Sequence, residues 1–170
     1  MRLLALIGAL AIAAAIGGAV FFFGGFYSVA ASEDHFPFVT WALGQTRQAS
    51  IARHTGGNPP GSLDDPAAVQ AGAYAYGARG CVHCHGAPGI GWDKWSEGMR
   101  PYPPNLKDLV VDRTPGQLFW VVKNGIKFTG MPSFGATEVP DPEIWQIVAF
   151  IRKLPTVSEA DYKAWSEKKQ

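Results

Sequence analysis

With 170 residues and a formal net charge of +1, the chain is long enough for one domain with extensions and has no charge bias toward nucleic acid. It contains no basic block, glycine-rich phosphate loop or internal repeat, so nothing in it points to nucleotide or nucleic-acid binding. Thirteen prolines and twenty glycines imply much non-repetitive backbone.

The first predicted element is a membrane span. Leu3 to Phe26 runs without a charge or a strongly polar side chain. As a helix it measures roughly 36 Å, enough to cross a hydrocarbon core of about 30 Å. A cleavable signal peptide is the rival reading, and Val29-Ala30-Ala31 has the small residues of a cleavage site. Signal h-regions, however, run to about 7–15 residues, well short of this one. Residues 1–27 are therefore expected to be an uncleaved, signal-like transmembrane anchor. Arg2 before the span, with Glu33 and Asp34 after it, directs the N-terminus to the cytoplasm and the remainder outside. Ala5, Ala9, Ala13 and Gly17 form a small-residue ridge at four-residue spacing. Such a face lets helices pack closely in lipid, although alanine is common in spans without that role.

Residues 28–64 read as a juxtamembrane connector, partly helical. Ser32 or Asp34 is a candidate cap for a helix from Phe36-Pro37 to about Arg53. Phe38, Trp41, Ala42 and Gln45 follow at helical spacing, and Phe38 and Trp41 suit either a membrane interface or the underside of the next domain. His54-Thr55-Gly56-Gly57-Asn58-Pro59-Pro60-Gly61 breaks any helix and is taken as the domain boundary.

The domain proper is expected over residues 65–156. Asp65-Pro66 supplies an N-cap and a first-turn proline for a helix into Arg79. Directly after it stands Cys81-Val82-His83-Cys84-His85. Two thiols three residues apart, with a histidine directly after the second, form the attachment site of a c-type haem. Each thiol adds across one haem vinyl group, so both must reach one edge of a flat ring, and positions i and i+3 of a helical turn share a face. The histidine then lies beneath the porphyrin, where an imidazole nitrogen can bind iron. A structural zinc site needs about four ligands, yet these are the only cysteines and no His-x3-5-His pair follows. A thioredoxin-like pair would need a βαβ context, whereas the flanks read as helix and loop. A plain disulfide stays open. Covalent haem attachment also implies export.

Further along, Pro101-Tyr102-Pro103-Pro104-Asn105-Leu106 is a stiff segment suited to offering a carbonyl to the second ring nitrogen of His85. His83, between the cysteines, is expected at the surface. Thr114-Pro115-Gly116-Gln117 is a capping box for a helix carrying Leu118, Val121 and Val122 and stopping at Asn124-Gly125. Met131, in Gly130-Met131-Pro132, is the candidate second axial ligand; a thioether opposite an imidazole favours ferrous iron and raises the potential. The bland alternative for Met131 is ordinary packing. Met99 is the other methionine beyond the span, but it follows the histidine too closely to have slack for the far face. His35 and His54 are weaker rivals. Asp141-Pro142 opens a last domain helix with Ile144, Ile147, Val148 and Ile151 on one face, ended by Pro155. In the tail, 157–170, a short helix is expected from Ser158 to Lys169 with Trp165 as its large anchor. No strand is expected, so the fold class is all-α. About ninety residues with three short helices is a small core, and the haem serves as its staple.

This ordered set resembles the class I cytochrome c family, in a membrane-anchored bacterial form with one haem. The resemblance covers residues 65 to 155 and rests on Cys81-Val82-His83-Cys84-His85-Gly86, Pro104-Asn105-Leu106, Gly130-Met131-Pro132 and the final helix. It implies that Pro104 offers its carbonyl to His85. It also implies that the first and last helices cross closely through a small residue and aromatics, for which Gly72 or Ala73, Tyr76 and Trp145 are the candidates. The expected cofactor is one covalent haem c, held by Cys81, Cys84, His85, Pro104 and Met131, with His85 and Met131 on the iron. No catalytic residue and no small-molecule substrate are expected. The expected role is single-electron transfer between protein donor and acceptor at the outer, periplasmic face of the cytoplasmic membrane. The alternative is a fixed subunit of a larger respiratory oxidoreductase, assembled through the Ala5/Ala9/Ala13/Gly17 face. A third reading, an enzyme or gas sensor with open iron, is opposed by Met131. From Ala67 to Gly135 seven Lys/Arg face four acids, a basic lean that suits acidic redox partners as well as it suits a mixed solvated surface.

Overall fold

The structure is a computed structural model and describes residues 1–167. Its described residues contain helices, turns and one isolated antiparallel bridge between Ala87 and Ile90, and no β-strand. Two compact units are present, Met1–Asp34 and His35–Gln170.

In the first unit, α1 spans Arg2–Phe23. It is apolar on every side and no part of it is buried. Its 22 residues measure about 33 Å, enough by length and composition to cross a bilayer core. At its C-terminal end the Phe21 ring stacks on Phe26 at 6.5 Å and meets Tyr27 edge-on at 6.3 Å. The Ala5, Ala9, Ala13 and Gly17 ridge lies exposed along α1.

The second unit begins with α2, Pro37–His54. Neither Ser32 nor Asp34 caps it; Phe36 holds the N-cap position without a side-chain bond, and Pro37 starts the first turn. The segment expected as a connector thus divides, because α2 belongs with the helices that follow. Phe38 and Trp41 do not pack beneath those helices. They are exposed and lie against each other at 5.8 Å. The other end of α2 makes the contact, where Ile51 is buried and His54 stacks on Trp120 at 5.8 Å.

Helix α3, Pro66–Ala78, starts as its sequence dictates, with the Asp65 carboxylate accepting the Ala67 N–H at 3.1 Å. A one-turn helix α4, Cys81–His85, follows, then a 3-10 turn at Lys94–Gly98 and the short helix α5, Leu106–Leu109. Helix α6, Pro115–Asn124, opens on the full Thr114/Gln117 capping box. Its buried residues are Leu118, Phe119 and Val122, with Phe119 in the place expected for Val121. Helix α7, Asp141–Lys153, buries Ile144, Ile147, Val148 and Ile151 as its periodicity requires. Asp141 sits inside its first turn and does not cap it; the carboxylate is taken by Lys123 at 2.8 Å.

Helices α3 and α7 form the centre of the core. They touch at Gly72, where a Cβ would run into the backbone carbonyl of Gln146 and lie 3.0 Å from Phe150 Cβ. Beside that contact the rings of Tyr76 and Phe150, both fully buried, meet edge-on at 5.2 Å. Trp145, expected at this crossing, is instead stacked on Phe119 at 4.2 Å, joining α7 to α6. The helical phase explains the exchange: Phe150 is the aromatic that α7 turns toward α3. Each fully buried large side chain here contributes about 1.5–3 kcal/mol. Helix α8, Glu159–Ser166, is capped by Ser158 and anchored by the buried Tyr162, whose ring stacks on Phe150 at 5.6 Å. Trp165, the expected anchor, only borders the core. The expected run to Lys169 and the chain end at Gln170 lie outside the described residues.

Candidate functional site

Gly80, at φ +78, takes the left-handed turn that separates α3 from α4, a conformation glycine adopts without steric cost. The single turn of α4 then places Cys81 and Cys84 on one face. Neither forms a disulfide, and both are half-buried. Burial keeps them as neutral thiols: it pushes Cys81 up to about 12 and, with help from the Asp93 charge, pushes Cys84 up as well.

His85 lies 3.0 Å through Nδ1 from the carbonyl oxygen of Pro104. A carbonyl only accepts, so Nδ1 carries the proton and Nε2 keeps its lone pair. Burial lowers the His85 pKa against the raising effect of that hydrogen bond, leaving a neutral imidazole suited to a metal. Pro104 is held in turn by α5, whose first turn is capped by Asn105 accepting from Lys107 N at 3.0 Å while Leu106 is buried.

Met131 is half-buried at the border of the same core cluster that Cys81 borders. Its loop is tied to the end of α6. The Ile126 N–H donates to Met131 O at 3.2 Å, Met131 N–H donates to Thr129 Oγ1 at 3.1 Å, and Ser133 Oγ donates to Lys123 O at 2.8 Å. His54 is engaged elsewhere, on Trp120 and with Nδ1 2.8 Å from Ser50 O.

Several contacts at the site had no sequence signal. The buried Tyr76 hydroxyl donates to Gly86 O at 2.7 Å, pinning the exit of α4 to the main helix crossing. His83 is exposed as expected but is paired: its Nδ1 lies 2.9 Å from Asp93 Oδ2, which also accepts from Trp95 Nε1 at 3.0 Å. Met99, expected to lack reach, has its sulfur beside Gly130, next to Met131 in the chain. The basic lean of the 67–135 window is also smaller than the sequence count, since Arg79 pairs with Glu143 at 2.7 Å and Lys123 with Asp141 at 2.8 Å. Both acids lie beyond that window.

Among the described residues, no cluster of three or more His, Cys, Asp or Glu could cage a metal with protein ligands alone. Two neutral thiols on one helical face, followed by an imidazole with one nitrogen already committed, do fit a covalently attached haem. Residues 67–151, half of the chain, match the protein family described as cytochrome c oxidase, cbb3-type, subunit III. No curated protein and no solved structure matches.

Proposed function

The chain belongs to the family of the cbb3-type cytochrome c oxidase subunit III, and from that premise we propose that it passes single electrons between partner proteins while tethered at the outer face of the cytoplasmic membrane. The family makes it a c-type cytochrome with covalently bound haem c, built on an all-α fold preceded by an apolar helix. The observation that supports the role most directly is the α4 turn, with Cys81 and Cys84 on one face and His85 oriented by Pro104. On this reading Cys81 and Cys84 would hold the haem covalently, and His85 and Met131 would bind its iron. When bound, the haem supplies a one-electron ferric/ferrous couple. Pro104 fixes the tautomer and ring plane of His85. Tyr76 holds Gly86, and with it the end of α4, against the core. The Met131 loop is tied to α6 by its own hydrogen bonds, so this chain would hold Met131 in place whichever charge a bound iron carried.

The family description names an oxidase subunit, and this favours a second reading in which the chain is a fixed subunit handing electrons to a catalytic partner. Gentle detergent extraction followed by native gels stained for haem separates the two. A free carrier migrates alone, and a subunit migrates with its complex.

Met131→His tests the ligand set. The haem should stay low-spin, while its potential falls because imidazole favours ferric iron more than thioether does. The change should amount to several kcal/mol at most, within the roughly 0.8 V that axial ligands span. An unaltered potential in redox titration would remove Met131 from the iron.

Retention of α1 has its own test. The haem-bearing chain should stay in the membrane pellet through high-salt and carbonate washes, which strip electrostatic attachment but not a spanning helix. A mature N-terminus at Ser32 by mass spectrometry would make the apolar run a signal peptide and end the tethered reading.

A further inference from the structure

We propose that Met99 is a positioning residue for Met131, its side chain wedged against Gly130 so that the loop carrying Met131 is held closed. The inference rests on the reading of Met131 as an iron ligand. It starts from an absence of side chain at Gly130. A Cβ built there would lie 2.5 Å from Met99 Sδ and 2.7 Å from Met99 Cε, so the methionine occupies the space a residue-130 side chain would need. Gly130 and Met131 are adjacent in the chain, and pressure on one is felt at the other.

Met99 is itself held from both sides. Before it, the 3-10 turn Lys94–Gly98 is closed by the buried Ser96, whose hydroxyl donates to Asp93 O at 2.7 Å. Asp93 is bonded to His83 between the two cysteines, through its carboxylate at 2.9 Å and through its N–H to His83 O at 2.7 Å. After it, Arg100 lies over the Tyr102 ring at 4.0 Å and donates to the carbonyls of Glu97 and Met99. Pro101, Pro103 and Pro104 then fix φ along the run to the carbonyl that orients His85. Residues 99–104 are therefore a stiff strap. One end presses on the loop of the thioether ligand, and the other end orients the imidazole ligand.

A wedge of this kind acts on the closed–open equilibrium of the Met131 loop. An external ligand reaches iron only from the open state, so its apparent affinity scales with the open fraction. Imidazole binding to the ferric, haem-loaded full chain is the probe. Met99→Ala leaves space beside Gly130 and should raise imidazole affinity roughly tenfold. Met99→Leu keeps the volume without the sulfur, and should stay within about twofold of the parent. Gly130→Ala should behave like Met99→Ala, because its methyl group displaces the thioether. In all three the covalent haem stays in place, and the weak red absorption band of thioether-ligated ferric haem persists until imidazole is added. Imidazole affinity in Met99→Ala equal to that of the parent would overturn the wedge. So would Met99→Leu as open as Met99→Ala, since the sulfur rather than the volume would then matter. Should the parent itself lack the thioether band, the ligand assignment of Met131 falls, and this inference falls with it.

Discussion

Replacing both Cys81 and Cys84 by alanine should abolish covalent haem, and replacing either one should leave at most a single thioether and a poorly matured protein. On denaturing gels stained for haem peroxidase activity, the double variant should be blank and the single variants weak. An iron–imidazole bond does not survive denaturation, so only a thioether keeps haem on the chain there. The effect extends to folding. The helices from Pro66 to Lys153 form a small core, and domains of this size commonly depend on a staple. Without a haem held on the chain the domain lacks that staple, so the double variant should also be scarce in cells. Full haem staining in both single variants would refute the attachment assignment.

Gly72→Val should be the most damaging single change away from the haem ligands. The first atom of the new side chain meets the carbonyl of Gln146, which is backbone and cannot swing aside. Helices α3 and α7 must separate. The Tyr76–Phe150 ring contact then loosens, and with it the Tyr76 hydrogen bond to Gly86. Overpacking costs about 1–3 kcal/mol and more where backbone is in the way, so a loss on the order of 3 kcal/mol or more is expected in urea unfolding. Gly44→Ala is the matched control. It lies within α2 with nothing within 4 Å of the new methyl group, and should stabilise by a few tenths to about 1 kcal/mol. Equal midpoints for the two variants would contradict the close crossing.

What could be read from the sequence was whatever the chain signals locally. The caps at Asp65 and Thr114, the apolar face of α7 and the apolar run of α1 each lie within one element, and each appears in the structure. The CxxCH spacing is local too, so its one-turn geometry was legible. Contacts between distant segments were not. Phe150 and Trp145 are five residues apart on α7, and nothing in the chain says which of them faces α3. Asp141 resembles a cap by composition, yet a lysine eighteen residues earlier claims its carboxylate. Met99 was discounted on its distance along the chain from His85. Its place beside Gly130 is set by the strap of residues 99–104 and the turn before it.

The packing of Cys81 against the core bears on when a haem can be attached to it. Thioether formation draws on the sulfur as a nucleophile, and the thiolate is the reactive form. In the folded chain Cys81 packs against the core cluster, burial pushes its thiol up and so disfavours that form, and the exit turn of α4 is tied to Tyr76. A chain that folded first would offer a less accessible sulfur. Attachment is therefore expected to precede the close packing of α3 and α4, with Tyr76 settling on Gly86 afterwards. On that order, a change that hastens collapse of the empty chain should lower the yield of holoprotein even where it stabilises the finished fold.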